Sequence, residues 1–402
     1  MNRISELAKA IISSPTLALD AKAKQMKAAG EPVIHLGGGE PAGEMPPAAK
    51  SAALEKINSG LVKYTAVGGT PSLKKAVADY TLRAYGHEAN PENILISGGA
   101  KQSLYNFLFA VLDPGDEVVF AAPYWVSYPE MVRMCRAVPV IVTPADGGFE
   151  PAVSEMDSAL TPRTKAVLLN SPNNPSGHAY SPEFVRGVIE LCQARGIFLV
   201  MDDIYRELVF DAVPPVSAFK YAKNPAQLVI VNGISKTYGM TGFRIGWAVA
   251  DPGLVRVMAN IQGQTTSCPS DLSQAAAIGA LEGGPEFVAQ LNAGLKHKRD
   301  ILVEELAHIK GVRLRVPKGT FYSLPDFSFY NTNSVELAQF LLEKAKVVTI
   351  PGAHSGMEGH LRISYCGPEN GIIEGIRRIR WALDPGSPSD ITIGGSKYTR
   401  TW

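Results

Sequence analysis

Brief apolar runs alternate with amphipathic stretches along most of the chain, and turn residues separate them. The runs at 94–97, 117–120, 165–169, 197–201 and 228–231 are short and nearly all apolar. Runs of that kind read as strands buried on both faces of a mostly parallel sheet. Between them the apolar spacing lengthens to the helical period. Thr70 and Pro71 supply an N-cap and a first helical residue for a helix reaching Tyr85. Residues 101–112 read as a buried helix, and Asp113-Pro114-Gly115-Asp116 as a turn after it. Ser181-Pro182 opens another helix, which Gly196 stops. Strands alternating with helices predict an α/β fold whose sheet is covered on both sides.

The texture changes near residue 285. One long helical pattern spans 285–309, followed by strand patterns at 312–316 and 319–324. A helix at 335–344, strands at 347–350 and 361–364, and a last helix at 371–383 complete it. This predicts a large domain over 46–285 and a smaller α+β domain from 1–45 and 286–383. The tail 384–402, rich in Gly, Pro and Ser, reads as a loose extension.

Composition narrows the function classes. The chain has 402 residues, enough for two or three domains. Its 39 Lys and Arg balance 38 Asp and Glu, which gives no support for a nucleic-acid or membrane-surface role. No apolar run reaches the length of a membrane helix, and Glu6 and Lys9 interrupt the N-terminal apolar stretch. The four cysteines form no C-x-x-C pair and the seven histidines no metal-binding spacing, so no metal site is expected. A cytoplasmic enzyme is the resulting expectation.

In open α/β sheets ligands sit at the carboxyl ends of the strands. Those ends here carry Gly98 to Lys101, Pro123 to Trp125, Asn170 to Gly177, Asp202 to Tyr205 and Asn232 to Lys236, which together suggest one composite site. Residues 232–247 are the densest in chemistry, with Ser235, Lys236 and Arg244 among four glycines. Arg and Ser suit a phosphate, and a lysine beside a phosphate site can form a Schiff base with an aldehyde cofactor. Competing motifs are weak. Pro41 breaks the glycine pattern a nicotinamide site needs after Gly37-Gly38-Gly39, no phosphate-loop lysine motif accompanies Asp202-Asp203, and Ser72-x-x-Lys75 lacks the further elements of serine acyl transfer.

Residues 232–247 resemble the lysine motif of the pyridoxal-phosphate (PLP) dependent class I/II aminotransferases of fold type I, in particular their aspartate-aminotransferase-like branch. The resemblance runs from about Ser14 to Leu383. It implies that Lys236 is the Schiff-base lysine. Ser235, Arg244 and the turn Gly99-Ala100-Lys101 would hold the cofactor phosphate. Asp202 would pair with the pyridine nitrogen, Tyr205 and Asn174 with the phenolic oxygen, and Trp125 would stack on the ring. Tyr64 would reach the phosphate of a neighbouring subunit in a homodimer. Arg362 and the Gly39 backbone N–H would bind the substrate α-carboxylate, with Asn174 beside them. The implied activity is ping-pong transfer of an amino group between an L-amino acid and a 2-oxo acid, with Lys236 as general base and acid. Ala42-Gly43 stands where many relatives carry an acidic-aromatic pair, which bears on the choice of aspartate, and Lys101 is a candidate partner for a distal carboxylate. The same cofactor residues would also serve elimination, replacement, cyclisation or oxidation chemistry. A regulator built on this scaffold would need an added DNA-binding domain.

Overall fold

The computed structural model describes residues 4–11, 15–211, 215–393 and 395–400. Ser14, the start of the expected resemblance, and residues 394 and 401–402 of the tail lie outside these. Seven strands form the central sheet: β1 (Ile94–Ser97), β2 (Glu117–Ala121), β3 (Val138–Val142), β4 (Thr164–Asn170), β5 (Phe198–Asp202), β6 (Leu228–Gly233) and β7 (Gly246–Val249). Their order is β1-β7-β6-β5-β4-β2-β3. Strand β7 runs antiparallel to β1 and β6, and the remaining pairs are parallel. Every residue of β1, β2, β6 and β7 is buried, which explains their unbroken apolar runs. Successive side chains enter opposite cores. Leu199 and Met201 join Leu73, Val77 and Trp247 on one face, while Val200 joins Leu104, Phe107 and Met258 on the other. Strand β3 escaped the sequence reading because it is a half-exposed edge strand interrupted by Pro139.

A second core packs helix Pro285–Ala307 against Glu369–Leu383 through Leu295, Leu302, Ile372 and Ile376. Strands Tyr322–Ser323, Leu361–Ser364 and Ile350–Pro351 form a small antiparallel sheet beside it. The N-terminal Ile34–His35 pairs in parallel with Val347–Val348. The strand expected at 347–350 is therefore two strands, because the chain changes partner at Thr349. No strand forms at 312–316. Arg313 and Arg315 are exposed there, and Arg313 makes only an isolated bridge to Asp326. The helix expected at 335–344 is Ser334–Phe340 followed by a wider π turn over Leu341–Ala345. The described part of the tail is not loose. Asp390–Ile393 and Ser396–Thr399 pair as a hairpin, Ile393 is buried, and the Arg400 guanidinium donates to the Trp381, Pro385 and Ser387 carbonyls.

Candidate active site

One cavity of about 320 Å³ opens at the carboxyl ends of β4, β5 and β6. Its wall includes Gly39, Ala100, Lys101, Trp125, Asn174, Asp202, Tyr205, Ser235, Lys236, Arg244 and Arg362. The structure thus brings together residues separated by more than 300 positions. Gly99 is not in the wall, yet it shapes it. At φ +97° it precedes helix Ala100–Val111, and a methyl group there would meet the Arg244 guanidinium at 2.4 Å. Gly246 makes the matching approach, since a Cβ there would lie 2.3 Å from the Ala100 nitrogen. Arg244 itself occupies the left-handed region (φ +55°), a strained position held by bonds to the Thr241 and Gly98 carbonyls. Tyr64 lies apart from this cavity and is 93% exposed.

Asp202 ends β5 and is only 3% exposed. The Tyr128 hydroxyl donates to its Oδ2 at 2.6 Å, and the Ile204 N–H faces Oδ1 at 3.4 Å. Burial pushes the Asp202 carboxyl up to about 6, while the Tyr128 and Ile204 bonds and the Lys236 charge favour its ionised form. The Asn170 amide ties the Asp202 carbonyl at 2.7 Å, and the Asn170 oxygen accepts from the Asn174 N–H. Lys236 follows β6, and burial pulls its amine down to about 8; Glu40 opposes that shift and Arg362 and Arg244 reinforce it. The amine donates to the Gly39 carbonyl at 2.6 Å. Gly39 therefore faces the lysine through its oxygen, where the sequence reading expected its N–H to face a carboxylate.

Arg362 lies on Leu361–Ser364 and is buried. Its Nη1 donates to Asn174 Oδ1 at 3.1 Å and its Nη2 to the Gly37 carbonyl at 3.0 Å. Among the described residues its Nε has no hydrogen-bond partner. A buried guanidinium nitrogen left open costs free energy unless an anion meets it. Lys101 sits 4.7 Å from the Trp125 ring centre and donates to Ser127 at 3.1 Å. Burial, then Arg244, lower its pKa. Asn170, at one of the expected strand ends, lines the cavity, as do Ser127, Tyr128, Thr241 and Tyr322, which were not singled out. Tyr128 had a legible signal, being three residues after Trp125 in the first turn of Ser127–Met134. Tyr322 had none, because its role depends on which strand lies opposite.

A family model described as aminotransferase class I and II matches residues 31–379. The chain belongs to the class I and II aminotransferases. It is 40% identical to an aspartate aminotransferase of Rhizobium meliloti, over 92% of this chain and 94% of the relative. It is 39% identical to a probable aspartate/prephenate aminotransferase of Aquifex aeolicus, over 92% and 96%. The aspartate aminotransferase of Thermus thermophilus solved with maleate matches with a TM-score of 0.92 at 36% identity, covering 95% of this chain and all of that one. This aminotransferase is therefore an enzyme of fold type I, with the α/β architecture expected. No helix among its described residues is long and apolar enough to cross a membrane.

Proposed function

We propose that this aminotransferase uses pyridoxal phosphate held at Lys236 to move an amino group between an aspartate-like L-amino acid and a 2-oxo acid. One observation carries the reading. A partly buried lysine, its amine pulled down to about 8, shares a single cavity with a buried carboxylate and a buried, partly unpartnered arginine. The residues fit the cofactor. Ser235, Arg244 and the first turn of Ala100–Val111, whose cap residue Gly99 makes no side-chain bond, form a cradle for a phosphate. Asp202 suits a pyridine nitrogen, Tyr205 and Asn174 a phenolic oxygen, and Trp125 a ring face. When bound, the cofactor supplies an aldehyde carbon and an electron sink.

The chain's own groups do the remainder. Lys236, poised near neutral pH, takes the proton from the substrate α-carbon and can return it. Tyr128 donates to Asp202, which keeps that carboxylate charged and aimed despite its burial. Arg362, clamped by Asn174 and Gly37, offers its open edge to the α-carboxylate. Lys101, also in the cavity wall, is the candidate for a side-chain carboxylate. The relatives named for aspartate and prephenate support a dicarboxylic donor or acceptor.

The same reading divides the chain into a large domain over 46–285 and a small one from 1–45 and 286–383. It also makes the enzyme a cytoplasmic homodimer. Tyr64 and its exposed neighbours Leu61 and Val62 form an apolar stretch suited to a second copy, whose site Tyr64 would complete. The test is a half-reaction. Cofactor-loaded enzyme is mixed separately with aspartate, glutamate, alanine, phenylalanine and methionine. Conversion of the cofactor to its amine form, with release of oxaloacetate from aspartate, is expected. Cofactor binding without amination by any of them would sink the transaminase reading of the physiological substrate.

A further inference from the structure

Tyr322 lines the cavity and is fully buried. Its strand pairs antiparallel with Leu361–Ser364, which sets Tyr322 opposite Ser364. Arg362 lies two residues before Ser364 and so shares the same sheet face. The guanidinium carbon of Arg362 is consequently 4.4 Å from the Tyr322 ring centre. Asn174 and Gly37 hold the edge of that guanidinium, and the Tyr322 ring covers its face. A planar cation held on its edge and one face has little freedom to turn away from a carboxylate.

The hydroxyl end of Tyr322 meets different neighbours. A Cβ on Gly39 would lie 3.2 Å from the Tyr322 oxygen, so the hydroxyl abuts the loop that receives the Lys236 amine. The Tyr205 ring stands edge-on to Tyr322 with centres 6.0 Å apart, and their two buried hydroxyls interact. One side chain thus touches the groups assigned to the substrate carboxylate and to the cofactor oxygen.

We infer that Tyr322 is a positioning residue with two separable roles: its ring face holds Arg362 for the substrate carboxylate, and its hydroxyl orients Tyr205 towards the cofactor. The inference rests on the assignment of Arg362 and Tyr205 proposed above. The roles separate because Phe retains the ring and loses the hydroxyl, whereas Leu loses both.

The experiment compares Tyr322→Phe, Tyr322→Leu and Arg362→Leu in the cofactor-loaded enzyme. The readouts are the dissociation constant of succinate, KM and kcat for aspartate, and the pH midpoint of the cofactor absorbance. Tyr322→Leu should raise the succinate constant and KM by about tenfold or more, with a much smaller change in kcat. Tyr322→Phe should leave both within about twofold, the scale of a retained cation–ring contact. It should move the absorbance midpoint, because the Tyr205 hydroxyl then loses the neighbouring hydroxyl that shares its hydrogen bonding. Should Tyr322→Leu lower the melting temperature so far that it is not folded during the assay, Tyr322→Met replaces it. Succinate binding as in the wild type for the Leu or Met variant overturns the ring role. An unmoved midpoint in Tyr322→Phe overturns the hydroxyl role. Unchanged succinate binding in Arg362→Leu would instead refute the assignment of Arg362 itself.

Discussion

Asp202, Ser235 and Lys236 sit on or just after the adjacent parallel strands β5 and β6, and Asn170 on the next strand ties itself to Asp202. The opposite wall of the cavity is assembled differently. Arg362 comes from a short strand of the second core and is clamped by Gly37, 325 residues away in sequence, and by Asn174. The first wall is held by sheet ladders that would exist without any ligand. The second is held by a few bonds between distant segments. The wall proposed for the cofactor is therefore preorganised by the fold itself, and the wall proposed for the substrate depends on how the Gly37–Glu40 loop and the two cores meet.

That contrast can be broken from the cofactor side first. Lys236→Ala removes the only proton-transfer group assigned at the α-carbon. Turnover with aspartate should fall by roughly 10⁴-fold or more. Cofactor binding through Arg244, Ser235 and Asp202 should persist, measured by equilibrium dialysis. Activity within tenfold of wild type would remove Lys236 from the mechanism.

The next effect belongs to the substrate wall. Arg362→Leu leaves the Asn174 oxygen and Gly37 carbonyl without their donor and the carboxylate without its cation. A loss on the order of 10³-fold in kcat/KM for aspartate is expected, carried mainly by KM. A variant whose kcat alone falls would show that the wall serves chemistry and not capture.

A smaller change should come from Tyr128→Phe, which removes the hydroxyl at 2.6 Å from Asp202. The carboxylate then loses its best donor inside an apolar shell, and its pKa rises further above 6. Losing a hydrogen bond to a charged group costs about 1.5–3 kcal/mol, equivalent to roughly 10–100-fold in kcat. Activity should recover partly at higher pH, where Asp202 ionises again. A pH–kcat profile parallel to that of the wild type would separate Tyr128 from the charge state of Asp202.

The two walls also differ in how legible they are. Strand ends in an α/β sheet announce themselves, since an apolar run ending in Asp202 or in Ser235-Lys236 is a pattern of adjacent residues. The family resemblance adds Arg362 from the motif around it. What the sequence conceals is pairing. Strand β7 hides in a glycine-rich segment because Gly246 is needed for contact with Ala100 and not for a turn. Tyr322 becomes meaningful only once Ser364 is known to lie opposite. The tail reads as loose because its order comes from one arginine capping carbonyls and from Ile391 and Tyr398 packing against the second core.

The least perturbing substitution tests the buried layer behind the cofactor wall. Asp203 follows Asp202 directly and is equally buried, and its Oδ2 has no hydrogen-bond partner among the described residues. Arg206, Tyr85, Asp202 and Glu207 surround it; burial outweighs the Arg206 charge and the Tyr85 bond and pushes its carboxyl up to about 7. A carboxyl whose folded pKa exceeds its unfolded value stabilises the fold at low pH. That contribution is lost as pH rises from about 4 to about 7 and is constant above. Asn cannot ionise and has no such dependence. The melting temperature of Asp203→Asn, relative to wild type, should therefore climb across pH 4 to 7 and level off beyond it. The full linkage is worth roughly 4 kcal/mol. Activity at pH 8 should stay within a few-fold of wild type, because Asp203 lies behind the cavity wall and not in it. A difference in melting temperature that is flat from pH 4 to 7 would mean that Asp203 is ionised throughout, with Arg206 as its counter-ion, and that the layer behind the cofactor wall is an ion pair.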